Sequence, residues 1–547
     1  MHHRATVDVV GIESERTRST RQYVGSGAWD LASRVGWKTT GLLLLLYSLL
    51  LRLPALRADS PLHSDSPAFL QVVALLRGEW HSAIVPFRIE YPVYPYVTFL
   101  INHMVANWLL AAKLAAFLPS VLVPVLIFAA TLIITPNRTA ALCAGFLTAS
   151  SPNLILIGAA PLYDSTFIFA TALFLLVGFL FIRKPKWVYG IAMGLVLGLA
   201  WASRGLGLFL APAFLAAVFV LPGVSPRRKS GLLLASIVVM LITASLIKLP
   251  AKRAAAHLAP DQTNCFKEVM ADGIRYAGGS RDAIVYRLND SATAFEVDES
   301  GICSMTWKQY ASRYLKDQAK SFAVNFKRII LDDLVTILSP FLVLFVPITL
   351  GSARFVRREN LPDAVLLGAT CISFLILVPA IQYQDRYLLP LLLPVAIVAG
   401  IGCAALLEEG KRGRWVLAIL TLLALVAAID GFRHTLARDE SEANYRKASE
   451  WIVAHNGKDF DFAVFERHHG VYAYLKHGSV MLPVDEPSRV MRYAEHMHVR
   501  YLLAGPEERR HNPVFLSDPT LLTPMAEFGH GADAVQVFEL TGGSKVQ

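Results

Sequence analysis

Charge is what this chain has least of for its length. Asp, Glu, Lys and Arg make up 17% of its 547 residues, against 54% hydrophobic residues, and the mean hydropathy is +0.46. That balance excludes an ordinary soluble globular protein. Cysteine is scarce too: five residues, with no CxxC and no His/Cys group at zinc-ligand spacing, so a zinc-finger type of site is excluded. No internal repeat is visible. The first apolar run, 39–54, lacks a small-residue cleavage site and reads as an uncleaved span rather than a signal peptide. Excess Lys and Arg give a formal net charge of +10. They are scattered over short loops and tails, the footprint of topology and anionic lipid rather than of nucleic acid.

What is present is a series of long apolar runs. A bilayer core needs ~20 apolar residues per helix, and the runs near 39–54, 108–135, 139–158, 162–182, 187–203, 206–222, 230–248, 334–353, 362–382, 387–407 and 414–431 supply about eleven spans. Basic residues favour cytoplasmic loops. Arg138, Arg183, Lys184, Lys186, Arg227, Arg228, Lys229, Arg354, Arg357, Arg358, Lys411, Arg412 and Arg414 then all fall on one face. The fold class expected is an α-helical polytopic membrane protein with the N-terminus cytoplasmic and the C-terminus extracytoplasmic. Residues 1–38, with Arg16, Arg18, Arg21, Arg34 and Lys38, read as a cytoplasmic tail. The compact inner loops suggest a bacterial plasma (inner) membrane.

Three segments lie outside on this topology: 56–107, 249–333 and 432–547. The first mixes amphipathic stretches with Pro- and Tyr-rich ones and reads as surface helices on the membrane. The last alternates helical patterns (441–456, 486–498) with strand-like runs (461–466, 479–484, 500–505, 534–540), as in a small α/β domain. Cys143, Cys371 and Cys403 sit in spans as small hydrophobes. Cys265 and Cys303 share the loop 249–333, where either a disulfide or two free thiols fits. Asn289-Asp290-Ser291 fits a glycosylation sequon in the same loop.

The polar residues that interrupt the apolar segments fall on one side. Asp65, Asp164, Arg204 and Arg386 are far apart in sequence, yet all would lie at outer span ends. Charges at membrane depth are costly, so a one-sided set points to a functional site. Each has a plainer reading as well. Asp65, Ser64 or Ser66 can cap the short helix that follows, and Asp164 can cap the next span. Arg204 can meet a lipid headgroup, Arg386 can pair with Asp385, and Lys113 can snorkel to the interface. Tyr91, Tyr94 and Tyr96 form an interfacial aromatic cluster, with lining of a carrier or sugar site as the alternative. His63 and His81 read as structural.

Five stretches carry a resemblance: HSDSPAF (63–69), EYPVYPYVTFLINHMVANWLLAAKLAAFLPSVLVP (90–124), PLYDSTF within 151–176, GLAWASRGLGLFLAPA (198–213) and QYQDRYLLPLLLP (382–394). Their order and sidedness over 39–410 resemble the GT-C superfamily of membrane glycosyltransferases, which includes the aminoarabinose, protein O-mannosyl and RgtA/B/C/D-like transferases. The resemblance implies transfer of a sugar from a polyprenyl-phosphate carrier to a lipid, glycan or protein acceptor outside the cytoplasm. It implies a catalytic carboxylate at Asp65 and a second acidic position at Asp164, although the Arg that often precedes that position is missing here.

The family often has Asp-Glu in the first motif, where this chain has Asp65-Ser66. One carboxylate is a poor divalent-cation site, so no metal and no other cofactor is expected. Transfer from a phosphate needs a base toward the acceptor hydroxyl and cations over the leaving phosphate. Asp65 suits the first role; Lys113, Arg204 and Arg386 suit the second. Tyr91, Tyr94 and Tyr163 are candidates to line the substrate. The rival class is a transporter or flippase for a lipid-linked or anionic solute, although repeat symmetry and mid-membrane polar residues are missing. A third reading is an assembly subunit with a decayed site.

Overall fold

The computed structural model describes residues 36–56, 66–79, 89–105, 107–258, 287–295, 302–334, 347–349, 352–353, 360–381, 384–436, 440–457, 460–467 and 479–541, together with residues 267, 270, 271, 274, 337 and 475. The chain is mostly helical. The helices are α1 (Trp37–Arg52), α2 (Ser66–Leu76), α3 (Val93–Val105), α4 (Trp108–Ile134), α5 (Arg138–Ser150), α6 (Pro152–Ala159), α7 (Asp164–Arg183), α8 (Trp187–Ser203), α9 (Leu210–Phe219) and α10 (Pro226–Ala254). After them come α11 (Trp307–Arg328), α12 (Leu361–Ala380), α13 (Leu392–Glu408), α14 (Lys411–Leu436) and α15 (Glu440–Asn456). Among the described residues six helices are long and apolar enough to cross a membrane, or up to seven if the bent pair α5–α6 is one span. Every span expected from hydropathy except 334–353, most of which lies outside the described residues, coincides with a helix or helix pair. Three of them, in α1, α8 and α9, are shorter than a full crossing, with 16, 17 and 10 residues.

Local sequence accounts for the breaks. Pro152 opens α6 directly after Ser151, and because a proline ring disfavours helical geometry in the residue before it, the pair bends by 59° there. Asn107 starts α4 by accepting the Leu110 N–H at 3.0 Å, an N-cap that satisfies one orphan donor. A helix that is apolar all round is either enclosed by protein or turned to lipid on one side. Leu42, Leu43, Leu46 and Leu50 of α1 point away from the protein, whereas α13 is enclosed, with 83% of its apolar window buried. The span interior is one continuous cluster running from Val123 and Phe167 through Leu210 and Phe374 to Ile397 and Leu420. Close crossings rest on small residues, as lipid-embedded helices require. A Cβ on Gly400 of α13 would come within 2.5 Å of the Ala140 carbonyl oxygen on α5.

The last part of the chain is a five-stranded sheet: β1 (Ala463–Glu466), β2 (Ser479–Met481), β3 (Val499–Ala504), β4 (Leu522–Phe528) and β5 (Val535–Leu540), ordered β2-β1-β3-β5-β4. β1 pairs in parallel with β2 and β3, and β5 is antiparallel to β3 and β4. α15 covers one face and a helix over Pro487–His496 the other, so β1 is buried along its whole length, the usual state of parallel strands. Phe465 and Leu502 pack with Val490, Tyr493 and Phe515 on one face. Val464 and Leu503 pack with Tyr445 and Ile452 of α15 on the other.

Two departures from the sequence reading lie here. β4 is not expected from the sequence, because Pro524 interrupts its pattern; the strand sits at the sheet edge, where the register shifts between Pro524 and Ala526, and a proline is tolerated at such a bulge. The sequon at Asn289 is used internally. Asn289 is buried, its side-chain oxygen accepts the Thr293 and Ala294 N–H groups at 2.9 and 3.3 Å, and Leu288 and Ala292 enter the core of the sheet. Arg489 donates to the carbonyls of Leu288 and Asn289, and Asp485 accepts the Leu288 N–H at 3.0 Å. That side chain is a structural turn rather than an open acceptor for a glycan.

Candidate functional site

The site is built at breaks between helices. Asp164 is the first residue of α7, Arg204 follows the end of α8, and Arg386 lies in a 3-10 segment, Asp385–Leu391, between α12 and α13. The structure brings these three together. Asp164 is 1% exposed, forms an ion pair with the buried Arg204, and has its other oxygen 3.8 Å from an Arg386 nitrogen. Arg386 also donates through Nε to the Gln384 side chain at 2.7 Å. Among the described residues the cluster sets two guanidinium groups around one carboxylate, and burial strengthens each of these interactions relative to water.

Aromatic rings hold Arg204. Its guanidinium lies 4.1 Å from the Tyr387 ring centre and 4.5 Å from that of Tyr163, with Phe167 at 5.9 Å. Such stacking suits the planar guanidinium better than a lysine head. Tyr163 in turn stacks at 6.2 Å with Tyr91, and Phe69 of α2 packs on it at 4.5 Å. Gly205 lets the Tyr91 ring lie close, since a Cβ there would approach its hydroxyl to 2.8 Å. Asp65 and His63 lie outside the described residues, as does His81. Asp65 immediately precedes α2, the helix whose Phe69 reaches Tyr163.

The other expected residues divide. Tyr91 and Tyr163 belong to the cluster. Tyr94 lies a layer behind, fully buried, with its hydroxyl donating to the Ala112 carbonyl at 2.9 Å and its ring against Phe69; that is a packing position. Tyr96 accepts the Ala251 N–H at 2.8 Å. Lys113 is 1% exposed, so it does not snorkel to the interface. The helix-capping reading of Asp164 gives way to its place in the ion pair, since the residue at the cap position of α7 is Tyr163. Cys303 is disulfide-bonded, Cys143, Cys371 and Cys403 carry free thiols, and Cys265 lies outside the described residues.

Sequence reasoning missed a second set of groups beside the first. Lys248 of α10 lies 4.8 Å from the Trp201 ring centre and 5.8 Å from that of Tyr91, and pairs with Glu90 at 3.4 Å; Lys252 meets the same carboxylate at 3.2 Å. The signal was present. Lys248 ends an apolar run and Glu90 opens the Tyr/Pro-rich stretch, but each looks like an ordinary span boundary until the fold joins them. Tyr387 was missed for a similar reason. Among the described residues no group of three His, Cys, Asp or Glu side chains converges to hold a metal ion.

Comparison with known proteins bears on this arrangement. Residues 86–247, which contain Tyr91, Asp164 and Arg204, match the family model of dolichyl-phosphate-mannose-protein mannosyltransferases. A comparison with functionally characterised proteins by sequence gives no match. In fold, the chain is similar to ArnT from Cupriavidus metallidurans in the apo state, at a TM-score of 0.59 and 13% identity over 92% of this chain and 99% of that one. It is also similar to ArnT bound to undecaprenyl phosphate, with a TM-score of 0.58 and 12% identity over 94% and 99% of the two chains. The archaeal oligosaccharyltransferase AglB from Archaeoglobus fulgidus, solved with an inhibitory peptide and a dolichol-phosphate, gives 0.54 and 13% over 88% and 70%. By the sequence match over 86–247 and by its fold over nearly its whole length, the chain resembles the GT-C superfamily of membrane glycosyltransferases.

Proposed function

We propose that the protein is a membrane glycosyltransferase that moves a sugar from a polyprenyl-phosphate carrier to a hydroxyl of a lipid, glycan or protein acceptor at the extracytoplasmic face. One observation carries the reading: Arg204 and Arg386 converge on the buried Asp164 at breaks between spans. A cationic centre of this kind matches a phosphate at headgroup depth. The ArnT and AglB structures, solved with undecaprenyl phosphate and dolichol-phosphate, support a lipid phosphate as the ligand class.

In the proposed reaction the acceptor oxygen bonds to the anomeric carbon while the bond from that carbon to the phosphate oxygen breaks. The acceptor proton passes to Asp65 as general base. Arg204 and Arg386 take up the charge on the leaving phosphate. Asp164 orients both guanidinium groups, a positioning role, and Tyr163 and Tyr387 fix the plane of Arg204. Lys113, buried near the start of α4, is a further positive charge for the leaving phosphate.

The test is binding of a radiolabelled polyprenyl phosphate to the purified protein in nanodiscs. Arg386→Lys keeps the charge but loses the two-pronged geometry, so binding should weaken. Arg386→Ala should weaken it further, by the ~1.5–3 kcal/mol of a hydrogen bond to a charged group. Arg357→Ala, in the basic stretch 354–358 of the sequence, should bind as the wild type does. Equal effects of the two alanine substitutions would mean that the basic residues serve topology only.

A further inference from the structure

We propose that α11 is a docking surface for the headgroups of anionic bilayer lipids. This rests on the membrane reading alone and not on glycosyl transfer. The helix is unlike the others in composition: Lys308, Arg313, Lys316, Lys320, Lys327 and Arg328 are basic, and Asp317 is its one acidic residue.

α11 grips the rest of the protein by a single stripe. Tyr310, Gln318, Ser321 and Asn325 are buried, Tyr314 and Phe322 beside them are half-buried, and the rest of the helix is exposed. Gln318 donates to the Ala380 carbonyl at 2.8 Å and Asn325 to the Pro379 carbonyl at 3.4 Å, both at the C-terminal end of α12. Directly beyond α11, Ile329 is part of the buried core of the spans. The end of α11 is thus tied to the span core, which keeps the helix at the edge of the bilayer.

At ~100° per residue, Lys316, Lys320 and Lys327 fall opposite the gripping stripe and form a crest that points away from the protein. Leu315 and Phe326 flank the crest on one side, Val324 and Leu331 on the other, and all four are exposed. Trp307 at the start of the helix is 56% exposed and meets Tyr310 edge-on at 5.9 Å, an aromatic anchor of the kind that settles at the interface. Among the described residues no carboxylate pairs with Lys316, Lys320 or Lys327. A basic crest with apolar shoulders and an aromatic end is the pattern that binds an anionic lipid surface.

The carbonyl that Gln318 grips belongs to Ala380, at the end of α12, so α11 is anchored to the spans on the side away from its basic crest.

The experiment uses the full-length protein in vesicles that contain a phosphatidylglycerol carrying a photoreactive headgroup. Cross-linked peptides from 307–328 are counted against those from the basic loop 183–186. In the variant Lys316→Gln/Lys320→Gln/Lys327→Gln, cross-links to 307–328 should fall about threefold or more, since each basic residue near an anionic surface adds to binding. Those to 183–186 should stay unchanged. The corresponding Lys→Arg variant should cross-link as the wild type does. The inference is overturned if the glutamine variant keeps the wild-type cross-linking, or if photoreactive phosphatidylcholine labels 307–328 as heavily as phosphatidylglycerol does. Because the readout is lipid and not turnover, it separates this surface from the proposed chemistry.

Discussion

Asp164 holds one negative charge between two guanidinium groups in a place that water does not reach. Removing that charge strands Arg204. Asp164→Asn should therefore lower the thermal stability of the detergent-solubilised protein, by the ~3–5 kcal/mol seen when one partner of a buried ion pair is lost. A melting temperature equal to that of the wild type would mean that Arg204 has another anionic partner. A second buried acid behaves differently. In the C-terminal sheet, burial pushes the Glu466 carboxyl well above its ordinary value of 4.5; the Ser479 hydrogen bond pulls it back, nearby Glu508 raises it again and Arg467 lowers it. A carboxyl raised on folding holds its proton more tightly in the folded state. Its contribution is therefore present below pH 4.5 and is lost as pH rises through the raised value. Glu466→Gln should flatten the fall in stability of the sheet with rising pH, measured by limited proteolysis of 463–540 at a series of pH values. An unchanged slope would place the titration elsewhere. At this scale the sequence disclosed Asp164, Arg204 and Arg386, because charges in apolar runs stand out. It hid Tyr387, Lys248 and Glu90, since a tyrosine or a lysine at a span boundary has an ordinary interfacial explanation.

Among the elements, hydropathy alone locates helices but not how closely they cross. α5 and α13 meet at Gly400, against Ala140 and Ala144. A larger side chain has nowhere to go there, and Gly400→Val should destabilise the span bundle by roughly 1–3 kcal/mol, the usual cost of overpacking. A melt indistinguishable from the wild type would show that the crossing can open. The bend between α5 and α6 was not foreseen from an apolar run near 139–158, although Ser151-Pro152 carried the signal. β4 was missed because a proline reads as a strand breaker until the edge position and the bulge are known. The strands β1 and β3 were legible because their apolar, β-branched and aromatic residues are buried on both faces, and β5 because its Val535, Val537 and Leu540 are buried.

At the scale of the whole molecule, the asymmetry of Lys and Arg sets the orientation on which the proposed chemistry depends. Reporter fusions after Ala255 and Gln547 should both report outside the cytoplasm, and a cytoplasmic signal from the first would put the cationic centre on the wrong face. The most direct measurement is made in proteoliposomes loaded with a polyprenyl phosphate carrying a labelled sugar, with covalent label on the acceptor fraction and movement of lipid-linked sugar across the bilayer recorded together. Expected is covalent transfer that Asp65→Asn reduces by on the order of 10²–10⁴, the usual share of general-base catalysis, with membrane insertion unchanged. Movement of the lipid-linked sugar across the bilayer with no covalent product would contradict the glycosyltransferase reading and leave a transporter in its place.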